Sequence, residues 1–420
     1  MDHEGIRMAK VATGLDRASR AGLRLPGRGR VAFLCNATTV SAAWLPSVDA
    51  LLATPGMTIL RILSPQHGFA SEKQDNMVES SDGVHPRLGI PIHSLYHDVR
   101  EPRPEVLAGL DAVLVDLQDV GARVYTFATT ALLTIAAAHR AGVPVIVLDR
   151  PNPIGGIVEG PVLEDGFRSF VGHIDVPLRH GLTIGELCLY GAWRLGILDG
   201  EAVRALDGRR STEDIDLGPV RVIPLEGWRR SMYLDETGLP WTVPSPNLPT
   251  LGTAVVYPGQ VALEGTNLSE GRGTTRPFEF FGAPYLDPGA VAAELARTDT
   301  PDLTGVVLRE IHYEPTFHKF AGQLVRGFHV HVIDRHGYRP VRTFVALLAA
   351  IRRVHADAFA WRQPPYEYEW HRLAIDLIFG TDRVRAALEA GVDPDEIAAS
   401  WDAGCQAFRE RVRPFRLYEE

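Results

Sequence analysis

The chain has 420 residues, with 43 Lys and Arg against 52 Asp and Glu, so its formal net charge is −9. Hydrophobic residues make up 45% and charged residues 23%, ordinary globular usage that excludes a disordered chain and, at this length, fits two or three packed domains. The acidic balance, with no polybasic block, gives no reason to invoke nucleic acid or an anionic membrane surface as partner.

In chain order, Arg30–Cys35 is an apolar run read as a buried strand, followed by a helix from about Ala42 to Ala53. Thr58–Leu63 is a second strand and opens into the loop Ser64-Pro-Gln-His-Gly68. Ile90–Leu95 is a third, with a helix near Pro104–Gly109. Ala112–Asp116 is the clearest strand, Tyr125–Ala141 the clearest helix, and Val143–Asp149 follows at once. Strands alternating with helices predict βαβ units, and their continuous apolar runs predict a mainly parallel sheet covered on both faces. Residues 180–196 read as a helix with Thr183 as N-cap and Glu186 completing a capping box. A long Gly/Pro-rich stretch runs from Pro224 to Pro288. Strands follow at 305–313 and 323–334, then helices at 341–356, 382–390 and 394–411. The expected architecture is a Rossmann-like α/β domain over 1–250 and an α+β accessory domain over 251–420.

Ligands of open α/β sheets bind at the carboxyl ends of the strands. Here those ends carry Asn36, Ser64-Pro-Gln-His67, Asp116-Leu-Gln-Asp119 and Asp149-Arg-Pro-Asn152. No G-x-G-x-x-G follows the first strand and no G-x-x-x-x-G-K-[ST] occurs anywhere, so a nucleotide or sugar-phosphate enzyme lacks its phosphate cradle. Cys35, Cys188 and Cys405 are far apart and show no metal spacing, which fits a reducing compartment. His329-Val-His331 has no Cys or Asp cluster near it, and no metal or other cofactor is called for. Met1–Arg20 lacks the continuous apolar core of a signal peptide, and no stretch approaches the roughly 18 apolar residues of a membrane helix. The expectation is a cytoplasmic monomer or homodimer.

Several segments together carry a family resemblance. They are Asp116-Leu-Gln-Asp-Val-Gly-Ala-Arg-Val-Tyr125-Thr, Leu148-Asp-Arg-Pro-Asn-Pro-Ile-Gly-Gly156, Glu159-Gly-Pro-Val-Leu163 and Arg179-His-Gly-Leu-Thr-Ile-Gly-Glu186. Pro244-Ser-Pro-Asn-Leu-Pro249, Glu264-Gly-Thr-Asn-Leu-Ser-Glu-Gly-Arg-Gly-Thr274, Pro365-Tyr-Glu-Tyr-Glu369 and Ile375-Asp-Leu complete the set. From about residue 30 onward the chain resembles the exo-β-N-acetylmuramidase family. The resemblance implies a Rossmann-like domain, an accessory domain and a cleft between them, with release of terminal N-acetylmuramic acid from peptidoglycan fragments. In that family the loop after the second strand reads Ser-Pro-Glu-His-Gly, and its glutamate is the leading catalytic candidate. Here glutamine stands at position 66. Glutamine can neither donate a proton as an acid nor act as a carboxylate base.

Glycoside hydrolysis commonly uses two carboxyl groups across the scissile bond. Glu79 or Asp75, on the same loop as Gln66, is the replacement expected here. Asp116 and Asp119 sit at the best-defined strand end, with Arg123 either holding Asp119 ionised or closing a structural ion pair with it. Glu264, Asn267, Arg272 and Glu279 lie in a loop whose small residues allow a close ligand approach, and which reads equally as a self-supported turn. The catalytic candidates are therefore Glu79, Asp116, Asp119, His67 and Glu264. The substrate-binding candidates are Asn36, Gln66, Asp75, Arg123, Tyr125, Asn152, Arg179, His180, Asn247, Asn267, Arg272 and Glu279. Two functions compete: a glycosidase acting on a muropeptide or amino-sugar substrate, and a binding relative that has kept the cleft and, through Gln66, lost the hydrolysis.

Overall fold

The computed structural model describes residues 10–75, 77–206, 213–297 and 303–420. Its main sheet contains β1 (Arg30–Leu34), β2 (Thr58–Ser64), β3 (Gly83–Val84), β4 (Pro91–Ser94), β5 (Ala112–Val115) and β6 (Val145–Leu148). After a separate two-stranded ribbon, β7 (Glu159–Val162) and β8 (Pro177–Arg179), the chain adds β9 (Ile215–Asp216) and β10 (Val220–Ile223) to it. The spatial order is β3-β4-β2-β1-β5-β6-β10-β9, parallel throughout except for the antiparallel edge strands β3 and β9. Numbered along the chain, the parallel strands run 3-2-1-4-5-6, the doubly wound Rossmann order.

The sequence encodes this sheet through alternation between two apolar faces. Val31, Phe33, Ala112, Leu114, Ile146 and Leu148 point to one side and pack with Leu15, Ala18, Val48 and Leu51 of the helices Gly14–Ala21 and Ser47–Leu52. Ala32, Leu34, Val113, Val115, Val145 and Val147 point to the other and meet the helices Phe127–Arg140 and Ile184–Arg194. Successive strand residues face opposite ways, so a strand covered on both sides must be apolar at every position. The Thr183–Glu186 capping box forms: Thr183 Oγ1 accepts from Glu186 N at 3.2 Å and Glu186 Oε2 accepts from Thr183 N at 3.0 Å.

The C-terminal half is built on an antiparallel sheet β11-β13-β12, where β11 is Phe280–Ala283, β12 is Val306–Tyr313 and β13 is Val325–Val332. The helix Pro340–Val354 carries its main packing, lying on the helices Leu251–Gln260 and Pro288–Arg297. The apolar core continues from the first half into the second through Ala254, Phe344, Ile375 and Phe408. The last residues return to the first half. Leu417 N donates to Glu186 Oε1 at 2.7 Å, the Tyr418 hydroxyl donates to Asp149 Oδ2, and Arg230 N donates to the Glu419 carbonyl at 2.8 Å.

Several expectations change in detail. The Pro224–Pro288 stretch is not irregular throughout: it holds the helix Leu251–Gln260 and the strand β11. Pro258 and Gly259 disguise that helix in the sequence, yet a Cβ at Gly259 would lie 2.0 Å from the Pro340 carbonyl oxygen, so glycine lets the two helices meet. The helix expected from Ala42 starts at Ser47, because Pro46 disfavours the helical conformation before it. The helix expected over 394–411 is two, Pro394–Ala399 and Asp402–Val412. The four-residue strand β10 completes the parallel sheet and is too short to stand out in the sequence.

Glu159, in β7, is a buried carboxyl with one supported oxygen. Its Oε1 accepts from Arg342 N at 2.8 Å, and its Oε2 has no hydrogen-bond partner among the described residues. Burial raises its pKa from 4.5 to about 7. The folded state therefore holds a proton the unfolded chain releases, so this group's stabilising effect is complete below about pH 4.5 and is lost as pH rises through about 7. Glu159→Gln, which keeps the shape without the charge, is expected to raise the unfolding midpoint over wild type at pH 8 and to leave it nearly unchanged at pH 4. Thermal unfolding at both pH values checks this; a gain of equal size at both would disprove it.

Candidate active site

The topological switch point, between β1 and β5, is closed rather than open. Asp116, at the end of β5, is fully buried and takes the Arg150 guanidinium on both oxygens, with Arg150 Nη2 at 2.9 Å and Ser47 Oγ also donating to it. Asn36 turns its side-chain oxygen onto Thr38, whose Oγ1 donates at 2.8 Å. Neither lines the pocket described next. These residues tie the ends of β1, β5 and β6 together.

The pocket lies to one side, over the loops that follow β2 and β5. Gln66 and His67 come from the first loop and Tyr125 and Thr126 from the second. Ser245, Asn247, Tyr257, Glu264, Arg272 and Phe278 come from the middle of the chain, and Tyr366 and Glu367 from near its end. His67 (φ 74°), Phe278 (φ 61°) and Glu367 (φ 46°) adopt left-handed backbone, and so does the adjoining Tyr368 (φ 65°). Non-glycine residues in that region are held there by their surroundings, and they concentrate at functional sites.

Two carboxyl groups line this pocket, and their supports differ. Glu367 Oε2 accepts from the Tyr96 hydroxyl at 2.6 Å and Oε1 accepts from Gln66 Nε2 at 3.3 Å. Gln66 is itself fixed by Thr126, whose hydroxyl donates to Gln66 Oε1. Both donors to Glu367 are neutral. Burial, reinforced by the nearby Glu264, pushes its pKa up from 4.5 to about 7 against the pull of Tyr96, Gln66 and the more distant Arg100 charge. Glu264 instead accepts from Arg272 Nη2 at 2.7 Å and from the Tyr366 hydroxyl at 2.8 Å. Burial works against the Arg272 charge, but Glu264, Glu270 and Asp75 hold its pKa above the usual arginine value. One carboxyl thus has neutral donors and the other a guanidinium, the separation of environments that acid–base pairs use.

Around this pair, burial pushes His67 down to about 4, so its imidazole is neutral. Its Nδ1 lies 2.8 Å from the Lys73 carbonyl and must be the protonated nitrogen, which leaves Nε2 to accept from Ser245 Oγ at 3.2 Å. The Tyr125 hydroxyl is buried in the pocket without a partner among the described residues. A donor enclosed in this way is completed by a ligand or by water. Among the described residues, no group of three or more His, Cys, Asp or Glu side chains is arranged to hold a metal ion.

Of the residues singled out in the sequence, the pocket gathers His67, Glu264, Gln66, Tyr125, Asn247 and Arg272. The others lie elsewhere. Glu79 is partly exposed, 2.9 Å from His97 Nδ1 and accepting from the Tyr368 hydroxyl at 3.0 Å, contacts that hold its pKa below the usual range. Asp75 sits behind the pocket wall, 3.1 Å from Arg272 and 3.5 Å from His318. The Asp119–Arg123 pair does not form. Asp119 faces His180 Nε2 at 3.2 Å and accepts from Gly121 N at 2.7 Å. Arg123 is buried among the carbonyls of Pro161, Val176 and Ile378 at 2.7–2.9 Å, and burial lowers its pKa to about 9. Arg179 reaches the Ile154 carbonyl at 2.7 Å, and Asn152 the Leu182 carbonyl at 3.0 Å. Asn267 bonds the Ala358 carbonyl at 2.8 Å, and Glu279 accepts from Thr253 Oγ1 at 2.7 Å, near the start of the helix Leu251–Gln260. Asp119, His180, Arg123, Arg179, Asn152, Asn267 and Glu279 engage backbone groups or neighbouring side chains in this way and hold loops in shape. Glu367 was missed as a candidate, although it lies inside the quoted Pro365-Tyr-Glu-Tyr-Glu369 motif.

Residues 31–252 match the model of the N-terminal domain of the exo-β-N-acetylmuramidase NamZ, and residues 255–418 match the model of its C-terminal domain. The chain belongs to this family. It is 33% identical over 418 residues to the peptidoglycan β-N-acetylmuramidase NamZ of Bacillus subtilis strain 168, covering 99% of this chain and 93% of that protein. Two crystal structures of DUF1343 family proteins from Bacteroides fragilis NCTC 9343 are similar to it. One has a TM-score of 0.82 at 27% identity, over 98% of this chain and 100% of its own; the other has 0.71 at 26%, over 98% and 99%.

Within the family frame, Gln66 occupies the place of the glutamate in Ser-Pro-Glu-His-Gly, and a carboxyl remains beside it as Glu367. Gln66→Glu would put two carboxyls in contact in a buried site, where one pKa rises strongly. The folded variant would then hold a proton at neutral pH that its unfolded chain does not. Its stability is expected to be close to that of wild type near pH 4.5 and to fall progressively below it toward pH 9. Parallel thermal unfolding of the two proteins tests this, and a deficit that stays constant with pH would refute the contact as the cause.

Proposed function

We propose that this protein is a glycoside hydrolase that releases N-acetylmuramic acid from the non-reducing end of peptidoglycan fragments, with Glu367 as the proton donor. The observation that carries the reading is the pair of unlike carboxyls in one pocket, Glu367 on neutral donors and Glu264 on Arg272. Cleavage of the bond between C1 and the glycosidic oxygen leaves negative charge on the departing oxygen and positive charge on the sugar ring. Glu367 delivers its proton to that oxygen, while the Glu264 carboxylate faces the cationic ring. A water molecule supplies the hydroxyl at C1, and its proton returns to the enzyme. Gln66 positions Glu367 and does not itself transfer a proton. The Tyr125 hydroxyl is free to donate to the bound sugar. Family membership supports the substrate class. The unlike supports of the two carboxyls, which remain despite Gln66, favour turnover over a pure binding role.

Among the described residues no helix is long and apolar enough to cross a membrane. The three cysteines are free thiols, all buried. With these features the reading extends to a cytoplasmic enzyme acting on imported muropeptides.

A general acid matters most when the leaving group is poor. Glu367→Gln is therefore expected to lower kcat/KM on an N-acetylmuramyl-N-acetylglucosamine disaccharide by roughly 10²- to 10⁴-fold. The loss on the 4-nitrophenyl β-N-acetylmuramic acid glycoside, whose leaving group needs little protonation, is expected to be much smaller. Wild-type kcat/KM on the disaccharide should fall as pH rises through about 7, where Glu367 loses its proton, and the variant should lack that limb. Equal losses on both substrates would remove Glu367 from the acid role. No turnover of either by wild type would overturn the hydrolase reading itself.

A further inference from the structure

Beside Glu367 stands Arg100, whose charge acts on the Glu367 and Glu79 carboxyls from a distance while, among the described residues, it makes a direct ion pair with neither. The Arg100 guanidinium carbon lies 4.4 Å from the Tyr96 ring centre and 4.2 Å from that of Tyr368, with Phe170 at 5.5 Å. Its Nη1 donates to the His97 carbonyl at 2.6 Å and the Val99 carbonyl at 3.2 Å. Its Nε and Nη2 make no hydrogen bond, and no carboxylate oxygen lies within 4 Å of the guanidinium, among the described residues. The Tyr96 and Tyr368 rings, 77° apart, wall the guanidinium on two sides, and the two backbone bonds tether its Nη1. The edge left over has the geometry that accepts a carboxylate through parallel N–H donors. Arg272, the cation inside the pocket, is already committed to Glu264, Glu270 and Asp75 at 2.7–3.2 Å.

The placement relates this edge to the reacting bond. Tyr96 touches the Glu367 carboxyl through its hydroxyl while its ring carries Arg100, and Tyr368 is the residue after Glu367. The free edge of Arg100 therefore lies about one aromatic ring from the proton donor. N-acetylmuramic acid differs from N-acetylglucosamine by the lactyl ether on O3, which carries a carboxylate from the ring carbon two positions from C1. We propose that Arg100 binds this lactyl carboxylate and is the residue that selects muramic acid over glucosamine. This rests on the hydrolase reading above and adds the basis of its sugar specificity.

The test compares the 4-nitrophenyl β-N-acetylmuramic acid glycoside with its lactyl amide, which is neutral and of similar shape. Wild type is expected to prefer the free acid through KM. Arg100→Met, which keeps the stem but not the charge, is expected to raise KM for the free acid roughly 10- to 100-fold. KM for the amide should stay within about twofold and kcat should change little on either substrate. Arg100→Lys restores the charge without the planar fork and should recover part of the loss, on the free acid alone. Equal loss on acid and amide, or Lys behaving as Met on both, would make Arg100 a packing residue and overturn the assignment. An Arg100 effect confined to substrates carrying a peptide carboxylate would overturn the lactyl group as its ligand. Should wild type turn over neither glycoside, calorimetric binding of free N-acetylmuramic acid against N-acetylglucosamine decides. A muramic preference lost in Arg100→Met supports the site, and no preference in wild type overturns it.

Discussion

A buried carboxyl group needs donors, and for Glu367 they come from the other end of the chain. Gln66 and Tyr96 lie 301 and 271 residues away in sequence, and both reach it by side chain. Burying that carboxyl without them would leave its oxygens unsatisfied, a cost of the order of a few kcal/mol. The site therefore exists only where the loops after β2 and β4 meet the strained turn at Glu367–Tyr368. The rest of the architecture serves to hold those loops against that turn.

The surrounding charges are arranged to the same end. Arg272 gathers Glu264, Glu270 and Asp75, and Glu270 in turn takes Lys319 at 3.0 Å and His318 at 3.1 Å. Burial alone would raise the Glu270 pKa, but these cations bring it down to about 2. Asp75 belongs to the loop after β2 and the other members to the second half, so the hub joins the halves directly beside the pocket. At the switch point, where doubly wound folds commonly receive a ligand, the buried Asp116–Arg150 pair occupies the space and the active pocket is displaced sideways. A buried ion pair of this kind is costly to break from one side, because the remaining charge is left without a partner.

What the sequence revealed and concealed follows from the range of each interaction. The first five parallel strands were legible because a strand buried on both faces writes itself as a continuous apolar run. Thr183–Glu186 was legible because a capping box is complete within four residues. Half of the pocket was legible for a different reason: His67, Tyr125, Glu264 and Arg272 lie in motifs that the family resemblance marked. Glu79 or Asp75 is the replacement that closeness to Gln66 along the chain suggests, yet the loop carries Glu79 outward to His97 and Tyr368 and Asp75 to Arg272. Asp119 and Arg123, four residues apart, were read as partners, but the turn at Gly121 (φ 82°) sends one to His180 and the other into a cage of carbonyls. Neither outcome is legible from these segments alone, because partners far along the chain help decide each: Tyr368 for Glu79, His180 for Asp119 and Ile378 for Arg123.

The final residues bear on the order in which the molecule can be completed. Glu186 and Asp149 are fully buried carboxylates at the heart of the first layer, and each receives one of its donors from Leu417 or Tyr418. Those donors lie 231 and 269 residues further along the chain, so during synthesis they emerge long after the carboxyls they serve. Until then the strand ends around Asp149 and the helix start at Thr183 must be hydrated or held loosely. The Rossmann-like layer, though encoded first, is sealed only once the second half has been made, and until then the nascent first half is an unfinished domain.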